Sequence, residues 1–355
     1  MFKYIILYYL MSIILNKYKD KGLTGLANLG NTCYINSSMQ VLSHCYIFNE
    51  LINNVDFKKI NNEDESVLLI EWRNLRNLMW DKNCIISPNR FINYIQQVSK
   101  YKNIELFSGF AQNDLPEFMV FIIDCFHNAL KRKVEMNISG EVKNNKDILA
   151  KECFAMIKKM YSETYSELLN IFYGIHVSQI ISKDKTTILS AKPEPFILID
   201  LPFPLNTKEC TIYDCFDIYT ENEFLEKDNA WFNEKTNEKE DVYKSIVFWN
   251  LPNILIVDFK KFTYDNKKIN IKINSPLLDL DLSKYVVGYN KESFVYSLFG
   301  VCNHNGGCLG GHYTSNIKNA NGKWYNFNDT TVTEINEDNV INNNGYCYFY
   351  VKNNI

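Results

Sequence analysis

Cys33 carries the strongest chemical signal in the chain. It follows a turn-forming run, Gly25-Leu26-Ala27-Asn28-Leu29-Gly30-Asn31-Thr32, and opens a stretch with Ile35, Met39, Leu42 and Tyr46 spaced by four, three and four. That spacing predicts an amphipathic helix starting at Cys33. A thiol at a helix N-terminus meets unpaired N–H groups and the positive end of the dipole, which favour thiolate. A free cysteine titrates near ~8.5, so a nucleophile at neutral pH needs this help or an imidazole partner. Asn28, five residues upstream, is placed to aim its amide beside the Cys33 backbone N–H as an oxyanion hole. An isolated cysteine is usually a small packed hydrophobe. The turn and helix set this one apart, but it still needs a base.

His312 is the candidate. It follows Gly310 and Gly311, and an alternating strand leads on to the aromatic run Trp324–Phe327 and then to Asn328 and Asp329. Either side chain can accept the His312 Nδ1 proton, leaving Nε2 to face the thiol. His44, His127 and His176 lack such a setting and read as structural. A third segment, 111–121 (AQNDLPEFMVF), places Gln112, Asp114 and Glu117 around a helix start, with Asp114 and Glu117 spaced as a capping box and Pro116 in the first turn.

The elements that must position these groups change type along the chain. Residues 22–135 read as mainly helical, with a second helix over 67–80. From about residue 172 short strand-like runs take over: 195–203, 253–262, 294–302, 312–318 and 323–327. Helices followed by strands predict an α+β fold, a helical lobe against a mainly antiparallel sheet. The run from Thr220 to Lys244 mixes Glu, Lys, Asn and Asp and reads as a solvated excursion.

Composition narrows the classes. A chain of 355 residues, 46% hydrophobic and 22% charged, can bury a sizeable core and is not expected to be disordered. A net charge of −3 offers no footprint for nucleic acid. None of the 10 cysteines forms a Cys-x-x-Cys pair, which suits a reducing intracellular compartment, cytoplasmic or nuclear, and argues against bound metal. Residues 4–15 are almost wholly apolar, yet twelve residues make a helix of only ~18 Å, short of a ~30 Å hydrocarbon core. Residues 1–21 are set aside as a segment that packs on the domain, precedes a start at Met11, or touches a membrane.

Together the three segments resemble the ubiquitin-specific proteases, papain-like cysteine peptidases shaped as thumb, palm and fingers. The family's cysteine box, G-L-x-N-L-G-N-T-C-Y-x-N-S-x-x-Q-x-L, is met at every defined position by residues 25–42. Its histidine box is met by residues 304–313 and 324–332, and Glu194-Pro195-Phe196 and Phe259–Phe262 fall where landmarks are expected. The resemblance implies a catalytic domain over 22–353, with the thumb at roughly 22–135 and fingers and palm at roughly 165–353. It implies hydrolysis after the C-terminal glycine of ubiquitin, with ubiquitin and ubiquitinated proteins as partners and no cofactor. Cys33 would be the nucleophile, His312 the base, Asn328 the orienter with Asp329 its rival, and Asn28 the oxyanion donor. Gln112, Asp114, His304 and Tyr313 would line the channel for ubiquitin's tail.

Two departures qualify this. Many members hold zinc at the fingertips through two Cys-x-x-Cys pairs, and the matching stretches here contain no cysteine, while Cys210 and Cys215 are wrongly spaced and stand apart from them. Asn113 and Leu115-Pro116 replace more usual residues near the channel. A protease for a ubiquitin-like modifier, or a ubiquitin-binding pseudoenzyme, remains an alternative at this stage.

Overall fold

The computed structural model describes residues 15–57, 60, 63–263, 265, 267–307 and 310–353. The apolar stretch 4–15 lies, except for Leu15, outside these residues. Among the described residues no helix is long and apolar enough to cross a membrane.

The first half is helical: α1 Cys33–Ser43, α2 Tyr46–Asn54, α3 Asp64–Asp81, α4 Asn89–Tyr101 and α5 Leu115–Leu130, with a short parallel pair, β1 Gly25–Leu26 and β2 Ile85–Ile86, at its edge. Every residue of α1 is buried. The predicted stripe is there in Ile35, Met39 and Leu42, whereas Tyr46 opens the next helix. The rest of α1 is small or amide-bearing (Asn36, Ser37, Ser38, Gln40, Ser43), so sheet and helices close on it from all sides. Burying one such aliphatic side chain contributes roughly 1.5–3 kcal/mol, and Met39→Ala would cost roughly 2–5 kcal/mol. Helix α6 Asn145–Thr164 is not foreseen by the sequence reading; its N-cap Asn144 accepts from the Asp147 N–H at 3.1 Å. The short α7 Leu168–Phe172 follows.

Strands then build two sheets. The first, in the order β4 Ile188–Phe196, β3 Gly174–Ser182, β10 Val242–Asn250, β7 Glu223–Leu225, is antiparallel throughout. Beside it stand the hairpin β8 Trp231–Asn233 with β9 Glu238–Glu240, and the parallel pair β6 Glu209–Thr211 with β12 Lys272–Asn274. Helix α8, Ile212–Thr220, starts on a capping box between Thr211 and Asp214. The second sheet runs β17 Thr331–Ile335, β16 Trp324–Asn328, β15 Gly310–Lys318, β14 Val295–Gly307, β18 Gly345–Lys352, β11 Ile254–Phe259, β5 Leu198–Leu201, with β13 Leu280–Asp281 pairing off β14. Only the last neighbour, β5 on β11, is parallel. The predicted α+β fold is what forms, and α1 packs on β14, β15 and β16 with its first residue toward the start of β15.

The charged run 220–244 is not a loose excursion: it holds β7, β8, β9 and the start of β10. Period-2 alternation is masked there because both faces of so thin a hairpin meet water. The tip of this run and the neighbouring turn between β3 and β4 are tied by side chains. Asp184 accepts from the Ser182 hydroxyl at 2.5 Å and from Thr186 Oγ1 at 2.9 Å, and Glu240 accepts from Asn233 Nδ2 and Thr236 Oγ1, both at 2.8 Å. These hydroxyl, amide and carboxylate groups are committed to one another and lack the thiolates or imidazoles a zinc site needs, so the fingertip residues do not fit that metal. Among the described residues no group of three or more His, Cys, Asp or Glu is placed to hold a metal ion. Cys210 and Cys215, wrongly spaced for a Cys-x-x-Cys pair, nevertheless meet each other. The turn from β6 into α8 brings their sulfurs to 3.8 Å, both buried.

Candidate active site

Cys33 is the first residue of α1 and only 2% exposed. Its thiol is pushed up from its ordinary value, first by burial and further by the Asp329 carboxylate, while the Tyr313 backbone amide works the other way. This reverses the direction expected from the helix terminus: desolvation outweighs the dipole. It also places the sulfur against the backbone of the residue that follows His312.

His312 lies near the start of β15, opposite Asn305 of β14. Its Nε2 is 2.7 Å from Asn328 Oδ1 and 3.9 Å from Asp329 Oδ2. The ring therefore turns the other way from the sequence expectation. Nε2, not Nδ1, takes the amide partner, because the neighbouring strand β16 ends on the Nε2 side of the ring.

The two adjacent candidates, Asn328 and Asp329, diverge through a two-residue hairpin. Asn328 pairs with Thr331 as the last rung between β16 and β17, and Asp329 sits in the turn at φ 47°. Asn328 stays with the sheet and reaches the imidazole. Asp329 is thrown toward α1, where its backbone carbonyl accepts from the Leu26 N–H at 2.8 Å. Its carboxylate bridges two amides: Asn28 Nδ2 donates to Oδ2 at 3.0 Å and Asn36 Nδ2 to Oδ1 at 2.8 Å. Gly25 is required here, since a Cβ would lie 2.3 Å from the Thr330 carbonyl oxygen at the hairpin tip.

Asn28 closes the turn before the thiol. Its Oδ1 accepts from the N–H groups of Gly30 and Thr32, each at 3.1 Å. With the oxygen fixed and one amide hydrogen on Asp329, the second hydrogen remains as a donor.

The four channel candidates gather on the other side of β15. Gln112 grips the Gly311 backbone from both ends, Nε2 to O and N to Oε1, each at 2.8 Å. Gly311 cannot carry a side chain, because a Cβ would meet His304 Nε2 at 2.2 Å. His304 is buried, its ring centroid 4.6 Å from that of Tyr313 in a tilted contact, and bonded through its carbonyl to Lys268 Nζ; burial and that lysine push the ring down to about 4. Asp114 does not form the expected capping box with Glu117. It is the N-cap residue of α5, but its carboxylate accepts from the Tyr346 hydroxyl at 3.1 Å and from Tyr313 at 3.5 Å, and burial raises it to about 6. Two buried phenols compete better for it than an exposed helix end.

Of the three histidines read as structural, His44 bonds the Gln40 carbonyl through Nδ1 at 2.9 Å, His127 meets Ser166 at 2.7 Å, and His176 stacks on Phe196. None of these contacts involves the cluster around Cys33. Asn36 was missed. Its signal lay in plain view as an amide three residues past Cys33, on the first turn of the helix that the thiol opens.

The ubiquitin carboxyl-terminal hydrolase family model matches residues 24–350. A probable ubiquitin carboxyl-terminal hydrolase of Acanthamoeba polyphaga mimivirus is 28% identical, over 94% of this chain and 91% of that protein. Human ubiquitin carboxyl-terminal hydrolase 2 is also 28% identical, over 95% of this chain but 56% of its own length, so the chain spans about half of that relative. Among solved structures, the SAGA Ubp8/Sgf11/Sus1/Sgf73 DUB module bound to ubiquitin aldehyde superposes with a TM-score of 0.71 at 21% identity, over 94% of this chain and 70% of the other. That likeness shows a shared fold.

Proposed function

Because the chain belongs to the ubiquitin carboxyl-terminal hydrolase family, cysteine-type deubiquitinases, we propose that its domain over 22–353 hydrolyses the bond after the C-terminal glycine of ubiquitin on ubiquitinated proteins. The observation that carries this reading is the 2.7 Å contact of His312 with Asn328, one residue from the Tyr313 amide that reaches the Cys33 sulfur.

With its pKa raised, Cys33 rests as a thiol. Attack on the carbonyl is coupled to transfer of the thiol proton to His312 Nδ1, while Asn328 holds Nε2–H in the productive tautomer. The oxyanion of the tetrahedral intermediate meets the free Asn28 amide hydrogen and the Cys33 backbone N–H. Collapse breaks the bond to the leaving amine, which takes the proton from His312, and leaves a thioester on Cys33. A water, deprotonated by His312, then attacks the thioester and releases ubiquitin and the thiol. Gln112, Asp114, His304 and Tyr313 would line the tail's path, where Gly310 and Gly311 let two backbones approach closely.

Ubiquitin carrying a C-terminal electrophile tests the assignment. Labelling at Cys33, lost in Cys33→Ala, is the expected result. Labelling only by the equivalent probe of a ubiquitin-like modifier would move the substrate to that class. No labelling by either would defeat the reading.

A further inference from the structure

We propose that Asn36 is a positioning residue for this reaction, acting through Asp329 to aim the Asn28 amide at the oxyanion. The inference rests on the function proposed above and adds a residue to it.

Asn36 stands one turn beyond the thiol on α1 and is 2% exposed. Its Nδ2 donates to Asp329 Oδ1 at 2.8 Å and lies 3.3 Å from the carbonyl oxygens of both Leu26 and Ala27, the two residues before Asn28. One amide therefore joins three pieces: the helix that begins with the nucleophile, the turn that carries Asn28, and the hairpin tip that carries Asp329. The carboxylate passes the constraint on. With Oδ1 held by Asn36, Oδ2 faces Asn28 Nδ2 at 3.0 Å, which fixes the plane of the Asn28 amide and leaves its second hydrogen in one direction. Asp329 has little freedom of its own, being in the left-handed region with its carbonyl bonded to the Leu26 N–H.

Packing alone does not account for an amide here. Asn36 Oδ1 is buried with no hydrogen-bond partner among the described residues, a standing penalty that leucine, with the same branched skeleton, would avoid. What leucine could not supply is the donor to Asp329. The brace also holds Asp329 to the helix side.

The test is a cycle with Asn36→Leu, Asn28→Ala and the double variant, assayed on a ubiquitin C-terminal fluorophore. Asn36→Leu should lower kcat about tenfold or more and leave KM within about twofold, because the loss falls on the oxyanion rather than on ubiquitin binding. In the Asn28→Ala background the same substitution should cost less than about threefold in kcat, since the path it acts through is already gone. Undiminished loss in that background, or a change in KM alone, would overturn the proposal. A second readout needs no turnover. The Asn28 side-chain amide resonances, identified by their absence in Asn28→Ala, should exchange faster with solvent in Asn36→Leu; unchanged exchange would also overturn it. A wild type inactive on ubiquitin that nevertheless showed the exchange change would defeat the proposed function and leave the brace standing. Should Asn36→Leu fail to fold, Asn36→Ala, which adds no bulk, carries the same comparisons.

Discussion

The cleft and the fingertips solve the same problem, holding polar side chains in place, by different means. In the cleft Asn28, Asn36, Asn328 and Asp329 come from three separate stretches of chain and converge through hydrogen bonds of 2.7–3.0 Å, with the exposed Asn28 tied through the half-buried Asp329 to the buried Asn36 and the exposed Asn328 on His312. At the fingertips the bonds are local: Asp184 with Ser182 and Thr186, Glu240 with Asn233 and Thr236. Long-range amide bonds fix atoms for chemistry. Local bonds at an exposed hairpin fix only the shape of a turn, and water replaces them at little cost. The difference teaches that substitutions should divide by what they change, kcat in the cleft and at most binding in the fingers.

Cys33→Ala gives the largest expected effect. Hydrolysis should vanish while ubiquitin binding, read by calorimetry, stays within a few-fold, since the tail channel does not need the sulfur. Turnover within about tenfold of wild type would remove Cys33 from the nucleophile's role. Asn28→Ala comes next. Loss of one oxyanion donor typically costs ~10²–10³ in rate, and the loss should appear in kcat more than in KM; an unchanged kcat would mean that the Cys33 N–H suffices.

The pair at the end of β16 sharpens the comparison inside the cleft. Asn328→Ala should depress kcat strongly, and Asn328→Asp should keep activity and move the basic ionisation in the kcat/KM profile upward, because a carboxylate stabilises the imidazolium. Asp329→Ala should also lower kcat, since its bonds run to Asn28 and Asn36. A dead Asp329→Ala with a shifted profile, beside a healthy Asn328→Ala, would exchange the two roles.

Stability gives a smaller effect with a definite sign. His44 and His304 are both pushed down to about 4 from 6.5, chiefly by burial. A folded value below the unfolded one means stability fully present above pH 6.5 and lost as pH falls toward 4. The loss is up to roughly 3 kcal/mol per ring. Urea unfolding at pH 4.5 and 7.5 should show this gap, and His44→Phe should narrow it. An equal gap in the variant would mean that other groups carry the acid sensitivity. At the far end, Thr236→Ala should leave kcat unchanged and shift stability by no more than about 0.5 kcal/mol. A large fall in kcat would show that the fingertip reaches the cleft after all.

The sequence made some of this readable and some not, for physical reasons. Helix α1 and the strands β11, β14, β15 and β16 follow from periodicity and turn residues, because local pattern decides those elements; the meeting of Cys33 with the His312 segment was implied by the resemblance of the motifs. The ring orientation of His312 does not follow, since it depends on which side of β15 the neighbouring strand ends. The direction of the Cys33 shift was missed because burial is a property of the whole fold, and the dipole argument sees only one helix. Asp114 was assigned to a helix cap because its rivals, Tyr313 and Tyr346, lie about two hundred residues away in sequence. Helix α6 escaped notice because its mostly exposed surface carries no clear apolar stripe, with Ala150 and Cys153 its buried residues.

The burial of Cys33 bears on how thiol reagents will read this protein. Cys84 is exposed, whereas Cys33 admits almost no solvent and holds its proton. A small alkylating agent such as iodoacetamide should therefore modify Cys84 ahead of the nucleophile, and bulk thiol titration would count the bystander first. Covalent inhibitors chosen by general reactivity would inherit the same bias. Selectivity for Cys33 has to come from a molecule that enters along the tail's route and delivers its electrophile from within, so for this thiol shape complementarity should outrank warhead strength.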